Sequence, residues 1–199
     1  MPNQDWLPAA VRVKATDRKL KAGEALFRLG DKPVNFYEVI AGSVRLSRVD
    51  NSGREVILYV AGPSETLAEA SLYSAAYHCD AIASTAATLR AYPKAALLAA
   101  FAKDRKAAQA FTATLARQVM NLRTRIEQRN IRSARDRVRH YLTVNAEAGV
   151  VTLRGTLKDL AAELGLTHEA LYRTLGALER GAEIKRGRGK IALLAPRRI

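Results

Sequence analysis

The chain is poor in the side chains that bind metals and carry redox chemistry. Its 199 residues hold one cysteine, Cys79, and three histidines, His78, His140 and His168. A single cysteine excludes an intrachain disulfide framework, and it excludes a cluster held by several thiolates of one chain. No run of about 18 uncharged apolar residues is present, so no membrane-spanning helix is expected. The opening stretch MPNQDWLPAAVRVKATDRKL scatters Asp, Arg and Lys and lacks an apolar stretch of the signal-peptide kind. Neither a nucleophile–base–orienter set nor a glycine-rich phosphate loop can be picked out, so no enzyme is expected. Together these absences predict a cytoplasmic, non-enzymatic protein without a membrane partner.

Acidic residues are also scarce. Against 33 Lys+Arg stand 19 Asp+Glu, a formal net charge of +14. Residues 1–102 are nearly balanced, with 12 basic and 10 acidic residues, whereas 103–132 hold 8 and 2 and 133–199 hold 13 and 7. The excess therefore sits in the C-terminal half. Such lopsidedness fits a polyanion partner, because neutralised phosphates release counterions. A solubility surface is the alternative on charge alone.

Residues 20–100 read as β structure, in short apolar stretches punctuated by Gly23, Gly30, Gly42, Gly53 and Gly62. In VIAGSVRLSRV (39–49), Val44, Leu46 and Val49 alternate with Arg45, Ser47 and Arg48, with a slip near the end. DNSGR (50–54) has turn composition and EVILYVA (55–61) is rich in β-branched residues, so the pair predicts a hairpin. Many short strands predict a sandwich or barrel.

From about residue 94 the pattern becomes helical. KAALLAAFAKDRKAAQAFTATLARQVMNLRTRIEQRNI lacks glycine and proline. Phe111, Leu115, Val119, Leu122 and Ile126 recur at spacings of 4, 4, 3 and 4, one stripe flanked by Arg117, Arg123, Arg125 and Arg129. A narrow stripe on so long a helix predicts packing against the same helix of a second copy. Packing against its own domain is the alternative. RSARDRVRHYLTVNAEAG (132–149) continues helically to Gly149, and VVTLRG (150–155) reads as a short strand and turn.

TLKDLAAELGLTHEALYRTLGALERGAEI (156–184) carries the most information. Thr156 and Asp159 make a capping box, and Leu157, Leu160, Ala161 and Leu164 form an apolar face behind it. Gly165 permits a sharp turn, Leu166 plugs the core, and Thr167 caps a second helix carrying Leu171, Leu175 and Leu178. The small residue Ala161 four places before Gly165 predicts a helix-turn-helix. In EIKRGRGKIALL (183–194), two β runs flank the basic turn 186–189, a wing with Lys185, Arg186, Arg188 and Lys190 placed for phosphates. Lys158 and Thr167 are further candidates for the DNA backbone. On the second helix His168, Glu169 and Arg173 are candidates for base readout. Positions 169 and 173 share a face; arginine bonds guanine bidentately and glutamate accepts from cytosine N4.

These motifs resemble the CRP/FNR family of bacterial transcription regulators over nearly the whole chain. EALFRLGDKPVNFYEVIAGSVRLSRVDNSGREVILYVAGPSETLAEASLY is similar to the family's cyclic-nucleotide-binding jelly roll, with LGD, AGSV and SGRE at its turns. The long helix resembles the family's dimerisation helix. GLTHEALYRTLGALE resembles its recognition helix, with the E-x-x-x-R pair intact as Glu169 and Arg173 and with His168 where the cyclic-AMP branch has arginine. The resemblance implies an α+β chain: a sensor jelly roll over 1–102, a dimerisation helix over 103–131, and a winged helix-turn-helix over 132–199. It implies a homodimer on a two-fold symmetric operator in double-stranded DNA, with RNA polymerase as a further candidate partner.

The sensor pocket departs from the cyclic-AMP branch. A G-E-L element opens the phosphate cassette there, and the matching place reads Ala68-Glu69-Ala70. Glu69, the ribose-binding type of residue, remains. Where an Arg-Ser pair would close the cassette stands Cys79-Asp80. Losing the arginine leaves a bound phosphate unpaired, at a cost of several kcal/mol. The expected signal is therefore not a cyclic nucleotide, with Glu69, Ala70, Tyr73, His78, Cys79 and Asp80 as candidate pocket residues. Haem, or a soft metal at Cys79 and His78, thiol oxidation, another small ligand, and a cysteine that merely fills the pocket all stay open. Strand alternation puts His78 and Cys79 on opposite faces, which disfavours one shared ion. Trp6 is expected to pack as an anchor. A cyclic-AMP-responsive activator is the alternative within this class. A non-specific nucleic-acid-binding protein is the alternative from another.

Overall fold

A computed structural model describes residues 6–194. Residues 1–5 and 195–199 of the two expected end domains, and the side chain of Arg125, lie outside the described residues. The chain divides into two compact units, Met1–Asn121 and Leu122–Ile199.

After a short helix α1 (Ala9–Arg12), the first unit folds as two four-stranded antiparallel sheets. One has the order β1-β8-β3-β6, made of β1 (Thr16–Leu20), β8 (Ala87–Pro93), β3 (Asn35–Ala41) and β6 (Thr66–Leu67). The other has the order β2-β7-β4-β5, made of β2 (Ala25–Phe27), β7 (Asp80–Ala83), β4 (Val44–Val49) and β5 (Glu55–Ala61). Leu20, Val39 and Leu89 from the first sheet meet Phe27, Val44 and Ala83 from the second in one buried core, which makes the unit a jelly-roll sandwich.

The hairpin expected at 50–54 is present, closed by Asp50. Its carboxylate accepts from the Ser52 hydroxyl (2.6 Å) and from the backbone N–H groups of Ser52 (2.8 Å) and Arg54 (3.0 Å). These bonds, led by the serine hydroxyl, pull its pKa down to about 2. The slip in β4 is a register shift between Leu46 and Ser47. Beyond it Ser47 takes the buried place and Val49 is turned to solvent.

A second core covers the unit's helical side, where Trp6 meets Phe36 edge-on at 5.5 Å and Phe111 at 4.9 Å. The expected single helix from 94 is two: α2 (Lys94–Lys103) and α3 (Arg105–Asn130). Asp104 leaves helical geometry at φ −117, and its carboxylate accepts from the N–H of Lys106 (2.9 Å) and Ala107 (3.1 Å). An N-cap aspartate stops one helix and starts the next without any glycine or proline.

The second unit begins within α3. Ser133 caps α4 (Ala134–Asn145), and β9 (Val150–Thr152) follows. Then come α5 (Leu157–Glu163), α6 (His168–Arg180), β10 (Ile184–Gly187) and β11 (Lys190–Leu193), the strands ordered β10-β11-β9. Val138 and Leu142 of α4 pack with Leu160, Leu171, Leu175, Leu178 and Ile191 into one core. Truncating a buried leucine of this kind to alanine costs about 2–5 kcal/mol.

Candidate nucleic-acid interface and effector pocket

The turn between α5 and α6 is built by its own sequence. The Thr156 hydroxyl accepts from the Asp159 N–H (3.2 Å) and the Asp159 carboxylate accepts from the Thr156 N–H (2.8 Å), the expected capping box. Gly165 turns the chain at φ +63. Arg137 of α4 clasps this turn, donating through Nη1 to the Leu164 carbonyl (2.9 Å) and through Nη2 to that of Ile131 (2.6 Å). Sequence reading missed this brace, because the partners lie 27 and 6 residues away. The Thr167 hydroxyl accepts from the Ala170 N–H at 3.1 Å, which starts α6.

Leu171, Leu175 and Leu178 bury one face of α6, and His168, Glu169 and Arg173 are all exposed. Glu169 is held ionised below the ordinary glutamate range, first by a backbone N–H at the helix start and then by Thr167. A carboxylate acceptor and a guanidinium fork thus stand one turn apart on a surface face. Tyr172, exposed beside them with its ring 4.6 Å from that of His168, was missed. The available signal was an aromatic residue off the 171/175/178 stripe.

In the wing, Gly187 pairs with Lys190, so the turn is Arg188-Gly189, with Gly189 at φ +67. Lys185, Arg188 and Lys190 are exposed, as is Lys158 on α5. Arg186 is different. Its guanidinium bonds Glu179 through Nη2 (2.6 Å) and Nε (2.8 Å), and its N–H donates to the same carboxylate (2.9 Å). The side chain thereby ties the wing to α6.

The stripe on α3 is not uniform. Phe111 is 2% exposed in its own unit's core and Leu115 packs against that core. Val119, Leu122 and Ile126 remain 48%, 52% and 62% exposed.

The pocket residues are scattered in role. Glu69 is half-buried, and its Oε1 accepts from the Thr66 hydroxyl and from Gln118 Nε2 of α3 (2.8 Å). Ala68, immediately before it, takes φ +72. Ala70 and Tyr73 bound a 3-10 turn (Ala70–Tyr73), and both are exposed. Tyr77 is buried and stacks on Phe27 at 3.7 Å. Asp80 accepts from Arg28 Nη1 (3.1 Å) and the Leu29 N–H (2.7 Å).

His78 is exposed while Cys79 is buried, both in the bend that precedes β7 rather than in a strand. Burial pushes the Cys79 thiol up to about 11, with Arg48 opposing and Asp80 adding to the rise. A raised pKa disfavours the thiolate that oxidation and soft-metal binding both use. Among the described residues no group of three or more His, Cys, Asp and Glu side chains could hold a metal ion. The two side chains of the candidate metal pair thus sit in different environments, one exposed and one buried.

Among the described residues no helix is long and apolar enough to cross a membrane. Residues 17–104 match the cyclic nucleotide-binding domain family. The chain is 29% identical over 163 residues to the transcriptional regulator SdrP of Thermus thermophilus, across 79% of this chain and 78% of that protein. It is 27% identical over 186 residues to the nitrogen fixation regulation protein FixK of Bradyrhizobium diazoefficiens, across 89% and 78%. The solved structure of FixK2 from Bradyrhizobium japonicum superposes with a TM-score of 0.79 at 23% identity, across 90% of this chain and 92% of that one. Both relatives are named as regulators. With a cyclic-nucleotide-binding jelly roll, a helix-turn-helix and a basic wing in one α+β chain, the protein is similar along most of its length to transcription regulators, among them one of the CRP/FNR family from Thermus thermophilus, 25% identical with a TM-score of 0.66 across 90% of this chain and 94% of that one.

Proposed function

We propose that the protein is a cytoplasmic, homodimeric, sequence-specific regulator of a two-fold symmetric operator, controlled through its β domain by a signal other than a cyclic nucleotide. Glu169 and Arg173 read a G·C pair in each half-site, His168 an adjoining base, and Lys158, Lys185, Arg188 and Lys190 hold phosphates. Thr167 borders the backbone with its hydroxyl engaged in the helix cap. RNA polymerase is the partner such a regulator addresses at its promoters.

One observation carries the choice of signal: the residues at the cyclic-nucleotide positions are already engaged. Glu69 bonds Thr66 and Gln118, and Asp80, standing where the related pocket has the serine of its Arg-Ser pair, bonds Arg28 and Leu29. A cyclic phosphate would have to displace these bonds and face a carboxylate.

Isothermal calorimetry with cyclic AMP, and selection from randomised duplexes with and without it, tests the proposal. No binding and an unchanged preferred site are expected. Micromolar binding that tightens DNA affinity would establish the cyclic-AMP-responsive alternative, and selection of no preferred half-site would establish the non-specific one. In the same assay Arg173→Ala should relax preference at one base pair, at a cost of about 1–3 kcal/mol.

A further inference from the structure

Tyr172 has no part in the core that α6 builds. Leu171, Leu175 and Leu178 supply that core and are fully buried, while Tyr172 stays 45% exposed. At about 100° per residue it lies about 60° round the helix from Glu169, on the side of His168. Its ring packs on the His168 imidazole, four residues before it, with centroids 4.6 Å apart and planes at 59°.

An exposed aromatic residue has a meaning here that a scattered surface tyrosine would lack. It stands on the helix that carries the polar readers, on their flank. Glutamate and arginine read hydrogen-bonding edges, and neither detects the one apolar mark in the major groove, the thymine 5-methyl group. An aromatic ring does, by burying that methyl. The contact with His168 already restricts the ring, so less side-chain freedom is lost on docking.

We propose that Tyr172 is a further base-reading residue, its ring covering the 5-methyl group of a thymine beside the base pair read by Glu169 and Arg173, with His168 positioning it. This rests on the proposed reading of α6 as the sequence-reading helix.

The test uses the full-length protein and the duplex it selects from a randomised library. Each thymine is replaced in turn by uracil, which lacks only the methyl group. One thymine per half-site should respond, with wild type losing about fourfold in affinity, the worth of one buried methyl. Y172F keeps the ring and should keep that loss. Y172A should bind thymine and uracil duplexes alike while retaining preference at the Glu169–Arg173 pair. Indifference of wild type to every uracil overturns the inference, as does a uracil penalty that survives undiminished in Y172A. If wild type selects a site yet ignores uracil, only this inference fails; if it selects no site, the reading of α6 fails with it.

Discussion

Ala68 is held at φ +72, a left-handed conformation that costs a non-glycine residue about 1–2 kcal/mol. It stands where the related cyclic-AMP cassette has glycine. Ala68→Gly should raise stability by about 0.5–1 kcal/mol, once glycine's greater freedom in the unfolded chain is set against the relieved strain. A higher urea midpoint at unchanged slope checks this, and a lower midpoint would show the alanine methyl to be better packed than strained. Cys79 makes a second prediction, on pH. Its buried thiol is raised from 9.0 to about 11, so the folded state prefers the proton. Below pH 9 both states keep the thiol and its contribution is present in full. Between pH 9 and 11 the unfolded chain ionises first and stability drains away; above 11 both states are ionised and the loss is complete. At 1.36 kcal/mol per unit the loss is about 3 kcal/mol. The stability difference between wild type and Cys79→Ala, measured by urea titration, should shrink by that amount across the window. A constant difference would place the thiol in a wetter site. The opposed burial of His78 and Cys79 matches the expectation from strand alternation, yet both residues lie in the bend before β7. The engagement of Asp80 was not legible in the sequence, because Arg28 and Leu29 lie 52 and 51 residues away.

At the scale of elements, the β hairpin, the capping box, the turn glycine and the helix-turn-helix were legible because each is specified by neighbours within a few residues. Gly42 shows how strict such a signal can be: at φ +76, an added Cβ would fall 2.1 Å from the Ala86 carbonyl oxygen. Two features escaped. The break at Asp104 carries no glycine or proline, and its only sign was an aspartate, whose cap had to compete with a strongly helical context on both sides. The wing was found, but its turn was read as the four residues 186–189. Pairing of Gly187 with Lys190 shortens the turn to two residues and draws Arg186 into its strand, toward Glu179. The basic residues of the wing should therefore divide. Arg188→Ala and Lys190→Ala should each weaken binding to all duplexes alike and reduce the salt slope by about 1. Arg186→Ala should instead lower the stability of the DNA-binding unit by about 1 kcal/mol, the worth of a half-exposed ion pair with good geometry, and leave the salt slope unchanged. Binding titrations at several salt concentrations, beside thermal melts, separate the two classes. A salt slope reduced equally by all three would return Arg186 to the phosphates.

For the whole molecule, the stripe on α3 raised a question that periodicity alone could not answer, since one spacing serves a domain core and a partner helix equally well. The structure splits it: Phe111 and Leu115 belong to their own unit's core, and Val119, Leu122 and Ile126 are left exposed. Exposed apolar residues in helical register, on a chain that carries one helix-turn-helix, fit a second copy covering them. The consequence for DNA is large. One half-site offers few contacts, and joining two on a symmetric operator adds their binding free energies less the cost of a single association. Replacing Leu122 and Ile126 together by asparagine leaves the net charge unchanged, so any effect on DNA comes through assembly. Sedimentation should then find a species near the 21.8 kDa chain mass instead of a dimer. Affinity for the two-fold operator should fall by about 100-fold or more, while affinity for an isolated half-site stays the same. A double variant that still sediments as a dimer would move the interface off this stripe. One that becomes monomeric yet keeps its operator affinity would show that the two half-sites are bound independently.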